Sequence, residues 1–464
     1  MSKIMKIIFF MTLCFKFSYD KYIVFKFKTN VDLNKLNEEN YMNTTMDQKL
    51  YVDFVIGDSH QNIPMTLKTE QYPTFIVSSR VIDDTRVKYN ENISSTSFKY
   101  VSEWQSKNLY KLDFSEGYYV NDSISFNSSF SYTNFTYMLA TETKVTAKNI
   151  SGEIGLSRSF DNEYPYGDSI KTCFLEQLYN NKLIDEKIFG IVYDNDFEGR
   201  LIFGTYLHLF DDFYSEKEMI SDYTLERFND EGNFGRWGIS LNIKGLKQPD
   251  NEEIYIENNT YGIFIYEIGL ICGSHTFRQN FAINYFKNKN CTESLISSKP
   301  YSFFQYSCDN EEQFSDFPDL NFLYPGKYSF IFNKDELFKK IGKKYIFQIV
   351  FEINENNFTF WRLGQIFFKK YNIFLNKKEK QSTFSYYLRK KNIENDESKI
   401  SGQILTIIIL SIILTFLIGA IIIFFIFFYE KKRKKRVQEL DEGDEYDYTP
   451  KINAQEVKDT LLTN

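Results

Sequence analysis

Residues 45–392 consist of short runs in which apolar and polar residues alternate, and the runs are separated by Asn, Asp, Gly and Ser. Successive side chains of a strand point to opposite faces, so this repeat of two predicts β-strands. The 47 Phe and 34 Tyr of the 464-residue chain support the same interpretation, because aromatic residues are enriched in strands. The chain is long enough for two lobes of ordinary domain size with peripheral segments. We therefore predict a mainly β fold.

One segment departs from this pattern. Within residues 167–184 the apolar side chains of Ile170, Phe174, Leu175 and Leu178 recur at the spacing of one helix face. This segment is the one clear helix candidate between residues 45 and 392.

The N-terminus has the features of a secretory signal peptide. Lys3 and Lys6 precede the apolar run 7–15, and the small residue Ser18 lies beyond it. We assign residues 1–18 to this signal. An uncleaved N-terminal anchor or a buried strand is the alternative, but the run is too short to span a bilayer.

Residues 404–428 contain no charged residue and are numerous enough for one membrane-spanning helix. The basic run KKRKKR (431–436) follows at once, and the positive-inside rule places it in the cytoplasm. A nuclear-localisation signal is the alternative for this run, but the adjacent span explains its position. We predict a single-pass type I membrane protein with a polar stem at 393–403 and a cytosolic tail at 429–464. It would lie in the secretory pathway, at the plasma membrane or in an acidic endomembrane compartment.

Every N-x-S/T sequon lies before the predicted span, which agrees with a lumenal or extracellular location for that part of the chain. The Asn-rich composition makes several sequons by chance, so they support the topology without establishing it. The predicted glycosylation sites are Asn43, Asn92, Asn121, Asn127, Asn134, Asn149, Asn258, Asn290 and Asn357.

The cysteines predict one disulfide. Cys14 lies in the signal peptide, whereas Cys291 and Cys308 are close in sequence and flanked by loop residues. An oxidising lumen favours a bond between these two. Cys173 and Cys272 lie far apart, and the sequence leaves open whether they pair.

No metal site and no cofactor is predicted. The chain has no C-x-x-C motif, and its three histidines (His60, His208 and His275) are isolated from one another. The net charge is −7 and most basic residues are dispersed, which argues against a nucleic-acid partner. The membrane is the partner that the composition itself indicates.

A series of motifs occurs in order along the chain. The first half contains IGDSHQN (56–62), YNENISSTSF (89–98), YKLDFSEGYYVNDSISF (110–126), SGEIGLS (151–157) and the stretches 174–193 and 199–204. The second half contains RWGISLNIKGL (236–246) with Trp237, GIFIYEIGLI (262–271), FPDLNF (317–322) and FWRLGQIFFKKYNIFLNKKEK (360–380). Their order and spacing resemble those of the pepsin-like aspartic proteases.

The resemblance implies a bilobal pepsin-like fold with a cleft between the lobes. The N-terminal lobe would span 45–215 and the C-terminal lobe 216–392. Residues 19–44 would be either a remnant of an inhibitory pro-segment or the first strand of the sheet between the lobes.

The resemblance also assigns residues to a substrate-binding cleft. The segment 110–126 is similar to the flap hairpin of the family, with Tyr110 and Gly117 at the expected spacing. Gly269 matches the glycine of the second catalytic loop. We expect these three residues to line the cleft, in which an extended peptide would bind by strand-like hydrogen bonds.

A lysine occupies the position of the first catalytic aspartate. Where the family has Asp-Thr-Gly this chain has Lys68-Thr69-Glu70, and the best match to the second aspartate is Glu267. Aspartic proteolysis needs two carboxylates that share one proton, so that one acts as base and the other as acid. An ammonium group beside Glu267 would keep that carboxylate ionised. We therefore predict an inactive site in which Lys68 Nζ contacts the Glu267 carboxylate at about 3–4 Å.

Three functions are compatible with this sequence. The first is an inactive ectodomain that binds peptides or proteins in its cleft. The second is a membrane-anchored aspartic endopeptidase with an altered dyad, and the third is a structural or adhesion ectodomain. A shifted register in the second loop stays open, with Glu267 as the only acid near that motif.

Overall fold

The computed structural model describes residues 21–30, 36–38, 40–69, 73–81, 86–94, 98–105, 114–127, 130–143, 150–158, 173–225, 236–298, 301–325, 327–353, 360–378, 381–390, 418–419 and 421–434. Strands dominate these residues, which confirms the prediction of a mainly β fold. The predicted signal peptide, the stem and the tail beyond residue 434 lie outside them.

The strands are β1 (Ile23–Thr29), β2 (Leu50–Ile56), β3 (Gln61–Lys68), β4 (Phe75–Val77), β5 (Lys99–Gln105), β6 (Phe114–Asn127), β7 (Phe130–Thr143), β8 (Gly152–Gly155), β9 (Ile188–Tyr193), β10 (Glu198–Phe203), β11 (Ile220–Tyr223), β12 (Gly238–Lys247), β13 (Glu252–Phe264), β14 (Ile271–Cys272), β15 (Thr292–Ser298), β16 (Tyr301–Cys308), β17 (Asp319–Tyr324), β18 (Tyr328–Phe332), β19 (Phe338–Ile341), β20 (Lys344–Phe347), β21 (Ile349–Glu352), β22 (Phe360–Leu363), β23 (Tyr371–Asn376) and β24 (Thr383–Leu388).

The helices are short and lie between strands. They are α1 (Tyr41–Met46), α2 (Phe174–Asn180), α3 (Leu207–Phe210), α4 (His275–Phe277), α5 (Ile283–Asn288), α6 (Lys334–Leu337) and α7 (Gln365–Lys370). A π-helical turn, Arg278–Ala282, joins α4 to α5, and 3-10 turns occur at Glu91–Ile93, Glu216–Glu218 and Glu311–Phe314.

The predicted helix at 167–184 is confirmed only over α2. Residues 167–172 lie outside the described part of the chain, and the helix ends at Asn180. Lys182 adopts a left-handed φ of 58°, and the amides of Lys182 and Leu183 donate to the carbonyls of Tyr179 and Leu178. This is a Schellman ending, which stops the helix before residue 184.

The strands form two large sheets. The 13-stranded sheet has the order β11-β24-β23-β9-β10-β1-β2-β3-β8-β4-β7-β6-β5, and the 11-stranded sheet has the order β18-β17-β12-β13-β22-β14-β21-β16-β20-β19, with β15 paired to β16. β1 lies between β10 and β2 and is antiparallel to both. β11, β23 and β24 come from the C-terminal part of the chain, so both halves contribute strands to the first sheet.

The burial pattern follows the alternation in the sequence. In β2 the apolar residues Leu50, Val52, Phe54 and Ile56 are buried, whereas Asp53 between them is exposed. In β9 all six residues are buried, so both faces of this strand are covered. In β2 the period of two places one face in the core.

One pattern of strand pairing occurs twice. In the first half β2–β3 is antiparallel, β3–β8 parallel, β8–β4 antiparallel and β4–β7 parallel. In the second half β12–β13, β13–β22, β22–β14 and β14–β21 follow the same sequence of directions. The loop after β3 and the loop after β13 are therefore topological counterparts, and these two loops carry the predicted dyad positions.

Polar contacts connect the two repeats. Trp237 is buried, and its Nε1 donates to the carbonyl of Leu156 at 2.8 Å. The buried Arg158 donates through Nη1 to Thr224 Oγ1 at 2.9 Å and to the carbonyl of Leu225 at 2.6 Å. Both contacts involve residues that follow β8, and one of these residues, Leu156, also donates its amide to the carbonyl of Lys68.

The predicted disulfide between Cys291 and Cys308 is confirmed, with an S–S distance of 2.12 Å. It ties the residues after α5 to the end of β16. Cys173 and Cys272 are both free thiols and both buried, so the pairing that the sequence left open does not occur.

Residues 418–419 and 421–434 are helical and belong to a second unit, Lys390–Asn464, separate from Met1–Arg389. Their apolar side chains, from Ile421 to Phe428, are exposed. Among the described residues no helix is both long enough and apolar enough to cross a membrane. Most of the predicted span at 404–428 lies outside those residues.

Candidate active site

The first loop begins where β3 ends at Lys68. β3 runs parallel to β8, so Lys68 lies beside Gly155, and its carbonyl accepts from the amide of Leu156 at 2.8 Å. Lys68 Nζ lies 3.4 Å from Oε1 of Glu153. The Glu153 side chain is 0% exposed and that of Lys68 is 24% exposed. An ionised carboxylate needs a charged or hydrogen-bonding partner at such depth, and Lys68 supplies one.

Glu153 is the residue of this site that sequence reasoning missed. It belongs to the motif SGEIGLS (151–157), which contains strand β8. All four residues of β8 are buried, so a carboxylate lies inside the core at this point. The available signal was an acidic residue in a motif that otherwise packs in the core.

The second loop, between β13 and β14, reaches the first through Glu267. Its Oε1 accepts from the backbone amide of Thr69 at 2.5 Å, and its Oε2 accepts from Thr69 Oγ1 at 2.8 Å. Thr69 is 1% exposed. The carboxylate therefore joins the two loops through both donors of one buried threonine. The contact of Glu267 with Lys68 Nζ stays a prediction.

The strand pairings around the two loops correspond to each other. Leu67 pairs with Ile154 and Phe264 with Leu363, each one residue before the glycine of its strand motif. Beyond these pairs the amide of Leu156 donates to the carbonyl of Lys68, and the amide of Gln365 donates to the carbonyl of Ile268, next to Glu267. The assignment of Glu267 to the second dyad position stays a prediction.

Residues 45–216 match the family model described as eukaryotic aspartyl protease. This part of the chain is a pepsin-like aspartyl protease domain. The resemblance drawn from the motifs is thus confirmed over the first repeat. No curated protein matches the chain.

The segment 110–126, predicted to be the flap, overlaps the hairpin formed by β5 and β6, in which Gln105 pairs with Glu116. Tyr110 lies in the connection between these strands, outside the described residues. Gly117 pairs with Trp104 on one side and Ala140 on the other, and a Cβ there would lie 2.4 Å from the carbonyl oxygen of Leu139. Close packing of β6 on β7 therefore explains this glycine; its predicted contact with substrate stays a prediction.

A buried carboxylate supports the base of that hairpin. Asp122 is 0% exposed and accepts from Tyr89 Oη, from Ser94 Oγ at 3.2 Å and from the amide of Ser123 at 2.7 Å. Burial, reinforced by the hydrogen bond to Asp122, raises the pKa of Tyr89. Two separate motifs of the sequence, 89–98 and 110–126, meet in this network.

Gly269 is required by the approach of the N-terminal segment. A Cβ at this position would lie 1.9 Å from the carbonyl oxygen of Thr45 in α1. The same segment is held by Tyr41 Oη, which donates to Gln348 Oε1 at 2.8 Å, and by the carbonyl of Gln48, which accepts from Gln365 Nε2 at 2.8 Å. Residues 41–48 thus pack directly on the second loop and its neighbours.

The predicted sequons differ in accessibility. Asn121 is half-buried, and its Oδ1 accepts from Thr136 Oγ1 at 2.7 Å. The side chain of Asn127, and Asn149 and Asn357 as a whole, lie outside the described part of the chain. The exposed sequon asparagines are Asn43, Asn92, Asn134, Asn258 and Asn290.

The histidines lie apart from the two loops. His60 Nδ1 lies 2.9 Å from the carbonyl of Asp58, and His208 Nδ1 lies 2.6 Å from Tyr387 Oη. His275 lines a small pocket with Cys272, Arg278 and Arg362. Across the residues with described positions, no group of three or more His, Cys, Asp and Glu is arranged to hold a metal ion.

Proposed function

We propose that this chain is a type I membrane glycoprotein whose pepsin-like ectodomain binds peptides or proteins without cleaving them. The observation that carries the proposal is the ion pair between Lys68 Nζ and the buried Glu153. By the motif match, the lysine of this ion pair occupies the position at which the family mechanism requires a catalytic acid facing a second one.

The chemistry of the two loops supports an inactive site. A catalytic dyad holds one proton between two carboxylates and activates a water molecule between them. Here a lysine cation lies next to one carboxylate, and both oxygens of Glu267 accept hydrogen bonds from Thr69. An acceptor engaged in this way is a weaker base, because hydrogen bonds to the ionised form lower its proton affinity.

A binding role rests on the parts of the fold that are separate from the dyad. The strand repeat and the β5–β6 hairpin are the elements that form a peptide cleft in this family. Binding of an extended peptide by main-chain hydrogen bonds does not depend on the catalytic carboxylates. The proposed ligand is accordingly a peptide or protein segment in extended conformation.

Membrane anchorage and glycosylation are proposed from the sequence. The uncharged run 404–428 with the basic run 431–436 supports the single span, and residues 1–18 support entry into the secretory pathway. The exposed sequons listed above are all placed before that span. We propose the plasma membrane or an acidic endomembrane compartment as its location.

The proposal is tested with the full chain in detergent at about pH 3–5, where aspartic proteases work. A denatured protein substrate and a statine-type inhibitor are offered separately. We expect no cleavage by the wild type, and binding of the inhibitor or of a substrate-derived peptide. Cleavage that the inhibitor abolishes would refute the proposal. Absence of any cleft ligand, with partners captured elsewhere on the surface, would favour the adhesion hypothesis.

One observation favours an endopeptidase as the second candidate. Glu153 and Glu267 contact the adjacent residues Lys68 and Thr69, so two carboxylates flank the same short segment. An altered dyad would use these two acids. In that case Glu267→Gln would abolish cleavage, whereas Lys28→Met, which removes an exposed lysine, would leave it unchanged.

A further inference from the structure

Strand β15 lies at an edge of the second sheet. All seven of its residues pair with β16, in a register without interruption. Within the described part of the chain, no other strand pairs with it. In an antiparallel pair the backbone groups of successive residues alternate in direction, so about half of those in β15 point away from β16. An edge of this kind is a template for pairing with another chain.

The exposed part of β15 carries an apolar surface. Thr292 to Leu295 are all exposed, and Leu295, at 63%, is the most exposed large apolar side chain described between residues 21 and 390. Leu295 pairs with the half-buried Phe304, which in turn pairs with Phe351. Ile353 is two residues beyond Phe351, shares its face of the sheet and is also exposed. We call Leu295, Phe304 and Ile353 the apolar margin.

Side chains protect this edge only in part. Natural sheets shield an edge with a lysine, a proline, a bulge or a covering segment. Ile296 is buried in a cluster with residues of α1, and the guanidinium carbon of Arg278 lies 3.7 Å from the ring centre of Phe304. β15 contains no lysine and no proline, and its one charged residue, Glu293, accepts from Arg278 Nη2 at 3.2 Å. Residues 292–295 are therefore left as an exposed edge.

A sequon asparagine lies two residues before the strand. Asn290 is exposed and adopts a left-handed φ of 55° between α5 and β15. The next residue, Cys291, is bonded to Cys308 of β16, and the carbonyl of Asn290 accepts from Gln313 Nε2 at 3.2 Å. The backbone that would carry a glycan is thus fixed at one end of the β15–β16 pair.

We propose that an N-linked glycan on Asn290 covers the open edge of β15 and the apolar margin. This inference rests on the proposed glycosylation of the chain. Leu295 follows Asn290 by five residues, at most about 17 Å along an extended chain, so a branched glycan rooted at Asn290 reaches the exposed stretch. A glycan is bulky and well hydrated, and it keeps the edge of a second chain from approaching. It supplies the protection that the sequence of β15 lacks.

The test uses the full chain, produced in a eukaryotic secretory host and kept in detergent. Glycopeptide mass spectrometry reports the glycan, and sedimentation velocity reports self-association. Thr292→Ala destroys the sequon and keeps Asn290, whose left-handed φ suits asparagine. We expect the wild type to be glycosylated at Asn290 and monomeric. Thr292→Ala should self-associate about tenfold or more tightly, because burial of one exposed leucine changes an association constant by about that factor.

A second substitution separates the edge from other causes of association. Adding Leu295→Lys to Thr292→Ala should restore the monomer, because a lysine on an edge strand opposes pairing. Asn258→Gln is the matched control, since it removes an exposed sequon of the β12–β13 hairpin. We expect this variant to stay monomeric.

Several results would overturn the inference. It is wrong if Asn258 carries a glycan and Asn290 does not, if Thr292→Ala remains monomeric, or if Asn258→Gln associates as strongly as Thr292→Ala. A glycosylated wild type that is already a dimer, and that Leu295→Lys dissociates, would show that a second copy occupies the edge instead. Absence of glycans from every sequon would overturn the proposed glycosylation together with this inference.

Discussion

The ion pair between Lys68 and Glu153 can be broken from either side by substitution. Lys68→Met removes the ammonium but keeps a long apolar side chain, and Glu153→Leu removes the carboxylate from the core. In the first variant a carboxylate that is 0% exposed loses its cation. In the second variant the lysine, 24% exposed, can turn toward water.

The expected losses of unfolding free energy follow from this difference in exposure between Glu153 and Lys68. Leaving one charge of a buried pair without its partner costs about 3–5 kcal/mol of unfolding free energy. Because Lys68 is partly exposed, we expect about 3 kcal/mol for Lys68→Met and less for Glu153→Leu. Replacing both partners by apolar residues of similar size is neutral or stabilising by about 1–4 kcal/mol. The double variant should therefore be at least as stable as the wild type.

The assay is urea unfolding of the full chain, followed by the fluorescence of the buried Trp237 and Trp361. Lys28→Met is the matched control, because Lys28 pairs with Asp53 at a similar distance of 3.3 Å but both side chains are largely exposed. That variant should change stability by less than about 1 kcal/mol. The reasoning is refuted if Lys68→Met costs no more than Lys28→Met, or if the two substitutions at the buried pair are additive.

Three further outcomes are expected. Burial raises the pKa of Glu257, opposed by hydrogen bonds from Ser274, Tyr255 and Trp361, so its folded pKa lies above the unfolded one. The free energy of unfolding should thus fall as the pH rises from about 4.5 through the folded pKa of Glu257. Urea titrations of Glu257→Gln should show no such fall, and this variant should be more stable than the wild type at neutral pH. Burial lowers the folded pKa of Lys369 to about 8 from 10.5, so thermal stability should rise between those two pH values. Lys369→Met should show no such rise. The same rise in this variant would contradict the lowered pKa of Lys369. Mass spectrometry of glycopeptides should find glycans on the exposed Asn258 and none on Asn121, whose amide is engaged by Thr136.

Much of the fold followed from local patterns. Alternation predicted strands such as β2, and the short separation of Cys291 and Cys308, with loop residues on either side, predicted the bond between them. The order of the motifs predicted the family, which the match to residues 45–216 confirms. These features depend on residue types and on short separations along the chain. The end of a helix, such as the one at Asn180, was harder to predict from the sequence, because it depends on the backbone conformation of Lys182.

The candidate site likewise has features that the sequence predicted and others that only the structure shows. The sequence alone predicted that a lysine occupies the position of the first catalytic aspartate, because this is a matter of residue identity within a motif. Only the tertiary structure decided that Glu153 forms an ion pair with this lysine and that Glu267 accepts hydrogen bonds from Thr69. Those relations depend on which strands become neighbours and in which register. Strand pairing brings together segments that are distant in sequence, and it is set by packing of the whole core.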